Sequence, residues 1–342
     1  MRFLREIVGH KQIVRTLLNA VLHERVTHAY LFIGPEGVGK ETTALAFARA
    51  LLCSQPADGD ACGLCRECRQ VGGQNHPDLS IVRPAGTSIK IEQIRGIQRR
   101  APYRPYQGGR KLFLILQAEV MTADAANCLL KTLEEPPGDT IFILLSTRPQ
   151  ALLPTILSRC QQYYFKGIPG PELIGGLVTL HGLAPEDARV TAALSGGSMG
   201  KALAYASGSF QKERSAALAL AEALGKSGPL EALEMAEKMA ENKEKTHSML
   251  ETLTCWYRDL LVSRETGGNG FLFNPDRSAA VEKEAGCFET GRLVEIIEDI
   301  EAAKNKIEAN ANTRLVLEAL FLRLAGSSAA AAAKVPPALE EV

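Results

Sequence analysis

Residues 34 to 40 read Gly-Pro-Glu-Gly-Val-Gly-Lys, directly after the apolar run Tyr30-Leu31-Phe32-Ile33 and directly before a helical pattern over 41–52. This context restricts the fold more than any other feature. A glycine-rich turn between a strand and a helix is how a parallel α/β sheet presents backbone N–H groups to phosphate. Gly34, Gly37 and Gly39 let the backbone turn those groups inward, and Lys40 opens the helix within reach of β- and γ-phosphates. The loop is nevertheless incomplete. Glu41 follows Lys40 where such loops carry the Ser or Thr that holds Mg²⁺. A carboxylate about 4 Å from a phosphate charge is repelled by about 4 kcal/mol at an effective dielectric near 20. Thr42 does not substitute, since the next residue of a helix points about 100° away. ATP binding at this loop is therefore doubtful.

The rest of the first half supplies the sheet that this loop needs. Short, almost purely apolar runs occur at 30–33, 79–82, 112–116, 141–145 and 162–165, as expected of strands covered on both faces. Helical patterns lie between them, with Ala44, Phe47, Ala48, Leu51 and Leu52 on one face of 41–52, and Ala126, Leu129, Leu130 and Leu133 on one face of 123–134. Strands alternating with helices predict a parallel sheet with helices on both sides. After Gly167 the strand runs stop. Short helical stretches follow, separated by His181-Gly182 and Ser195-Gly196-Gly197, and beyond 209 long amphipathic helices take over. One carries Leu293, Ile296, Ile297, Ile300 and Ile307; another spans 315–324. Gly267-Gly268-Asn269-Gly270 and Asn274-Pro275 mark a break between helices. A chain of 342 residues has room for an α/β domain over 1–167, a small helical domain over 168–208, a larger one over 209–326 and an Ala/Pro tail over 327–342.

The acidic partner of an active phosphate loop is missing too. In Leu112-Phe113-Leu114-Ile115-Leu116-Gln117-Ala118-Glu119, the positions at the strand end that should carry an Asp-Glu pair are Leu116 and Gln117. Glu119 lies too far past the end and reads as a solvated or ion-paired residue.

Cys53, Cys62, Cys65 and Cys68 follow the spacing C-x8-C-x2-C-x2-C, which places four thiolates around one tetrahedral ion. Zinc is the leading reading for this module over 53–76; an iron–sulfur cluster and metal-free thiols remain the alternatives. Gly59 and Gly63 relieve the tight backbone, and Arg66 and Arg69 offset thiolate charge. Four ligands from the protein leave no open position, so the site is read as structural. His76, before Pro77, reads as a loop residue and not a further ligand. The scattered Cys128, Cys160, Cys255 and Cys287 fit reduced thiols.

With 39 basic and 39 acidic residues, no overall field draws the chain to nucleic acid or to an anionic membrane. Arg95, Arg99, Arg100, Arg104, Arg110 and Lys111, interleaved with Tyr103 and Tyr106, form the one basic concentration. It is either a solvated face or a contact to DNA phosphates. No apolar run reaches membrane-spanning length and the N-terminal residues lack a signal-peptide pattern, so a cytoplasmic protein is expected. No paired carboxylates for nucleotidyl transfer stand out.

Three further stretches carry a resemblance. Residues 121–137 read Met-Thr-Ala-Asp-Ala-Ala-Asn-Cys-Leu-Leu-Lys-Thr-Leu-Glu-Glu-Pro-Pro, 155–160 read Thr-Ile-Leu-Ser-Arg-Cys, and 197–203 read Gly-Ser-Met-Gly-Lys-Ala-Leu. With the phosphate loop and the cysteines, they resemble the AAA+ subunits of the bacterial DNA polymerase III clamp loader. The resemblance implies a RecA-like AAA+ domain, a helical lid and a helical collar that joins five subunits. Glu41, Leu116 and Gln117 depart from the gamma/tau pattern and are similar to the delta-prime branch, whose ATPase site decays. Residues 256–261 and 310–320 resemble collar helices. The resemblance also implies that Arg159, beside Ser158, is an arginine finger for a neighbouring gamma/tau ATP site, and that Lys201 lies near the position of a lid arginine. Partners implied are gamma/tau and delta subunits and, indirectly, the sliding clamp, polymerase and primer–template DNA. Any polymerase label would belong to the holoenzyme. The rival readings are an active gamma-type ATPase using Lys40 and a zinc-dependent DNA-binding protein.

Overall fold

The computed structural model describes residues 3–326 apart from 108, 242, 268–271 and 310. The chain divides into two compact units, Met1–Leu183 with Gly196–Lys201, and Ala184–Ser195 with Ala202–Val342. The 168–208 stretch read as one small domain is thus shared between them. The expected tail over 327–342 and the glycines at 268 and 270 lie outside the described residues.

In the first unit, β1 (Ala29–Ile33), β2 (Leu79–Val82), β3 (Lys111–Ile115), β4 (Thr140–Ser146) and β5 (Gln161–Tyr164) form one sheet in the order β2-β3-β4-β1-β5. Every pairing is parallel. The helices are α1 (Lys11–Leu22), α2 (Lys40–Leu52), α3 (Arg66–Gly72), α4 (Ile91–Arg100), α5 (Ala123–Glu134), α6 (Pro154–Leu157) and α7 (Gly170–His181). β1, β3 and β4 alternate their side chains between two cores, as a pleat requires, whereas the edge strand β5 buries only Tyr163. Tyr30, Phe32, Leu112, Leu114, Ile141 and Ile143 pack with Leu17 of α1 and Phe47 of α2. On the other face Leu31, Ile33, Phe113, Ile115, Phe142 and Leu144 pack with Ile94 of α4 and Leu129 of α5. Burial of each such large side chain contributes about 1.5–3 kcal/mol, which is why the runs are apolar throughout.

This order puts β1 between β4 and β5, and sites in parallel sheets gather at the carboxyl ends of strands where the winding reverses. Ile33 is in register with Ser146 of β4 and Tyr164 of β5. The loop after β1 therefore leaves the sheet level with the end of β4. Strand bounds agree with the apolar runs to within a residue. At the edge, Phe165 falls just outside β5 and donates its N–H to Ile33 O at 2.7 Å.

The second unit is helical. α8 (Pro185–Leu194) belongs to it, α9 (Met199–Tyr205) begins in the first unit and ends in this one, and α10 (Gly208–Leu224), α11 (Pro229–Ala240), α12 (Lys243–Thr266), α13 (Ser278–Ala285), α14 (Thr290–Glu308) and α15 (Thr313–Leu324) follow. Trp256, Tyr257 and Leu260 of α12 pack with Leu293, Ile296 and Ile300 of α14 and with Leu317 and Phe321 of α15. The α14 stripe is the one its spacing predicts, with Ile297 at the margin. Leu315 departs from the pattern and lies 62% exposed. The segment after the glycine break is held by polar contacts: Asp259, fully buried on α12, accepts from the N–H groups of Phe273 and Asn274 at 2.8 and 2.7 Å and from Asn274 Nδ2 at 2.8 Å. Arg214 of α10 then donates to Asn274 Oδ1 and Asp276. No helix among the described residues is long and apolar enough to cross a membrane.

Candidate functional site

The loop between β1 and α2, the expected phosphate cradle, engages its own lysine. Gly37 adopts φ 73°, and a Cβ there would lie 2.3 Å from Ser198 Oγ, so only glycine fits. Ser198 Oγ donates to Glu36 O at 2.9 Å and Gly200 N to Gly37 O at 2.9 Å, strapping the loop with the Gly196–Lys201 segment of the same unit. His10 Nε2 donates to Val38 O at 3.0 Å. Lys40 is buried, and its Nζ donates to Gly34 O at 2.6 Å and to Pro35 O at 2.7 Å. Those bonds hold the ammonium on the loop's own carbonyls. Burial pulls its pKa below the ordinary lysine value, opposed by the charges of Glu119 and Glu36.

The metal-holding positions are filled by other chemistry. Glu41 is not the uncompensated carboxylate that its sequence position implies. Arg83, the first residue past β2, donates from Nη1 and Nη2 to Glu41 Oε1 at 3.1 and 2.9 Å, and Gln93 Nε2 donates to Arg83 O at 2.8 Å. A cation from the chain thus stands beside the carboxylate. Leu116 is buried, and Gln117 turns the chain with φ 52°, so β3 ends at Ile115 without an acidic pair.

Glu119 is partly buried and, among the described residues, is held by hydrogen bonds. Its Oε1 accepts from Thr147 N at 3.1 Å and Thr147 Oγ1 at 2.6 Å, and its Oε2 is buried without a partner among the described residues. Burial pushes its pKa up, but the bonds from Thr147 and from its own N–H outweigh that and leave it below the ordinary carboxylate value. Thr147 follows Ser146, whose carbonyl accepts from Gly34 N at 3.1 Å. A continuous set of contacts therefore runs from Glu119 to the cradle.

Arg159 lies just past α6. Its Nη2 is 2.8 Å from Glu134 Oε1 at the end of α5, and its Nη1 donates to Thr155 O at 3.1 Å and Ser158 Oγ at 3.4 Å. Ser158 Oγ donates in turn to Thr155 O. Lys201 is exposed, with its backbone N–H on Ser198 Oγ.

In the basic stretch, Tyr103 and Tyr106 are 73% and 83% exposed. Lys111 does not belong to that surface as a free cation. Its Nζ donates to Arg100 O at 2.8 Å and Tyr103 O at 2.6 Å, while buried Asp78 accepts from the N–H groups of Tyr106 and Gln107.

The four cysteines converge. Their sulfurs all lie within 4.8 Å of one another, with Cys53 to Cys65 at 3.9 Å and Cys62 to Cys68 at 4.0 Å. Four sulfurs each about 2.3 Å from one ion would be about 3.8 Å apart, so the set fits a tetrahedral metal. The N–H groups of Cys62, Cys65 and Cys68 each donate to a cluster sulfur at 3.3 Å. N–H groups of Cys65 and Leu64 pull Cys62 down to about 6, whereas burial and the sulfur of Cys65 push Cys68 up. A divalent cation would lower all four together. Asp60 anchors the module by accepting from the N–H groups of Leu4 and Arg5, both at 3.1 Å. His76 is a buried loop residue outside the cluster, its Nδ1 accepting from Asp78 N.

Sequence reasoning missed Arg83, Thr147, Glu134 and Asp60. Arg83 had a usable signal, since it directly follows an apolar strand in a parallel sheet, where sites form. The others act through tertiary contacts that no spacing announces.

Residues 9–169 match the family described as "DNA polymerase III, delta subunit", and residues 210–326 that described as "DNA polymerase III, delta subunit, C terminal". DNA polymerase III subunit delta' of Bacillus subtilis (strain 168) is 33% identical over 92% of this chain and 95% of its own length. Subunit tau of the same organism is 27% identical over 97% of this chain and 63% of its own length. The crystal structure of a gamma subunit-related protein from Thermotoga maritima aligns with 92% of this chain and 98% of its own, with 19% identity and a TM-score of 0.44.

Proposed function

This chain belongs to the DNA polymerase III delta-prime subunit family, and we propose that within the clamp loader it serves as frame and arginine finger while a neighbour holds the ATP. The observation that carries this reading is the state of the cradle. Lys40 is bonded to Gly34 O and Pro35 O, Arg83 pairs with Glu41, and Leu116 is buried at the acidic position. Those contacts supply no Mg²⁺ ligand beside the cradle, and hydrolysis in such loops depends on the metal.

Arg159 is the residue assigned to the neighbour's ATP. It stands at the edge of the sheet between α6 and β5, 36% exposed on its side chain, and its planar, permanently charged guanidinium suits phosphate oxygens. Ser158 helps to seat it. The second unit, with its Trp256-centred core, is assigned to the collar that joins subunits, and the segments around 168–208 to the lid. Gamma/tau and delta subunits in a pentamer are the proposed partners, acting on the sliding clamp and primer–template DNA in the cytoplasm. Cys53, Cys62, Cys65 and Cys68 are assigned one structural zinc ion, which would staple the segment after α2 to the N-terminal residues through Asp60.

The test is ATP binding and hydrolysis by the isolated chain and then by its complex with gamma/tau. No binding alone and a strong loss of turnover in the complex on Arg159→Ala are expected. Turnover by the isolated chain would instead make it a motor.

A further inference from the structure

Glu134 is an acid in an unfavourable place. It is the last residue of α5, where the helix dipole disfavours a carboxylate, and Glu135 follows it directly. Arg159, 2.8 Å away on another element, offsets that. The remaining contacts of the guanidinium, to Thr155 O and Ser158 Oγ, come from its own helix and the residue beside it. Glu134 is thus the one charged group that fixes where the head of Arg159 rests, among the described residues.

We propose that Glu134 is the resting counter-ion of Arg159, a positioning residue that holds the finger docked on this chain and yields it to the phosphates of a neighbour's ATP. The proposal rests on the reading of Arg159 as a finger. It adds the group against which the phosphates must compete. The two side chains are 36% and 43% exposed, so the pair is weak and screened by salt. A single carboxylate in that setting is outcompeted as negative charge builds on the transferring phosphoryl group, whose oxygens match the guanidinium fork. A buried pair would hold the finger too firmly for exchange. This one is strong enough to set a rest position and weak enough to leave it.

Glu134→Gln keeps the shape and removes the charge. In the complete complex with gamma/tau, kcat for ATP hydrolysis should rise about two- to fivefold, the range that an exposed pair commands. KM should stay unchanged, because a finger acts on charge developing in the transition state. The rise should shrink as salt is added, since salt already loosens the pair in the unaltered chain. Arg159→Ala and the double variant Arg159→Ala/Glu134→Gln should have equal, low turnover. If Arg159→Ala turns over normally, the finger reading itself falls, and this proposal with it. If Arg159→Ala is impaired but Glu134→Gln leaves kcat unchanged or lowers it, only the counter-ion role is overturned. A change in the Arg159→Ala background would likewise overturn it, because Glu134 would then act by another route.

Discussion

Arg83 Nη2 lies 2.9 Å from Glu41 Oε1, so a cation from the end of β2 stands beside the carboxylate at the position where an active phosphate loop carries a metal ligand. Both side chains are about half exposed, and an exposed pair is worth at most about 1 kcal/mol. Arg83→Ala should therefore shift the denaturant midpoint only slightly. Glu41→Thr should not create ATPase activity, because Leu116 and Gln117 still lack carboxylates. Phosphate release from the purified variant checks this directly.

Lys40 is held by the loop it belongs to. Its two short bonds to Gly34 O and Pro35 O are charge-assisted, and removing them by Lys40→Ala should cost about 1–3 kcal/mol in urea unfolding. ATP turnover of the assembled loader should be unaffected. A collapse of turnover in an otherwise folded complex would return nucleotide to this site.

Glu119 makes stability depend on pH. Its pKa in the folded chain is below the ordinary carboxylate value, so it contributes stability above the unfolded value and loses it as pH falls through the folded one. Denaturant midpoints should decline below about pH 5. Thr147→Val removes one of the bonds responsible and should flatten that decline.

The cysteine module should retain about one zinc per chain through purification, measured by elemental analysis. Cys65→Ser should lose the metal and lower the thermal midpoint. Asp60→Ala should keep the metal yet destabilise the chain by about 1–3 kcal/mol, since the N–H of Leu4 loses its buried acceptor and that of Arg5 its partner. Metal lost in Asp60→Ala would show that the N-terminal anchor also shapes the cluster.

Asp259 should be the most sensitive polar position in the second unit. Fully buried, it accepts three hydrogen bonds at 2.7–2.8 Å from Phe273 and Asn274. Asp259→Ala strands those donors and should cost about 3 kcal/mol or more, seen as early unfolding of this unit by hydrogen exchange.

Local chemistry makes much of this protein legible in its sequence. Apolar runs place the strands because a sheet covered on both faces excludes polar side chains. The spacing C-x8-C-x2-C-x2-C implies convergence because few residues separate the ligands. Glu41, Leu116 and Gln117 mark which metal ligands are absent, since those positions are set by the loop and the strand end. What the side chains do instead depends on partners far away in sequence. Arg83 meets Glu41 across 42 residues, Thr147 claims Glu119 across 28, and Lys40 turns to carbonyls that no pattern marks. Periodicity records which face of an element is buried, but a charged side chain chooses among partners by distance and solvation, and only the packed strand ends bring those partners together.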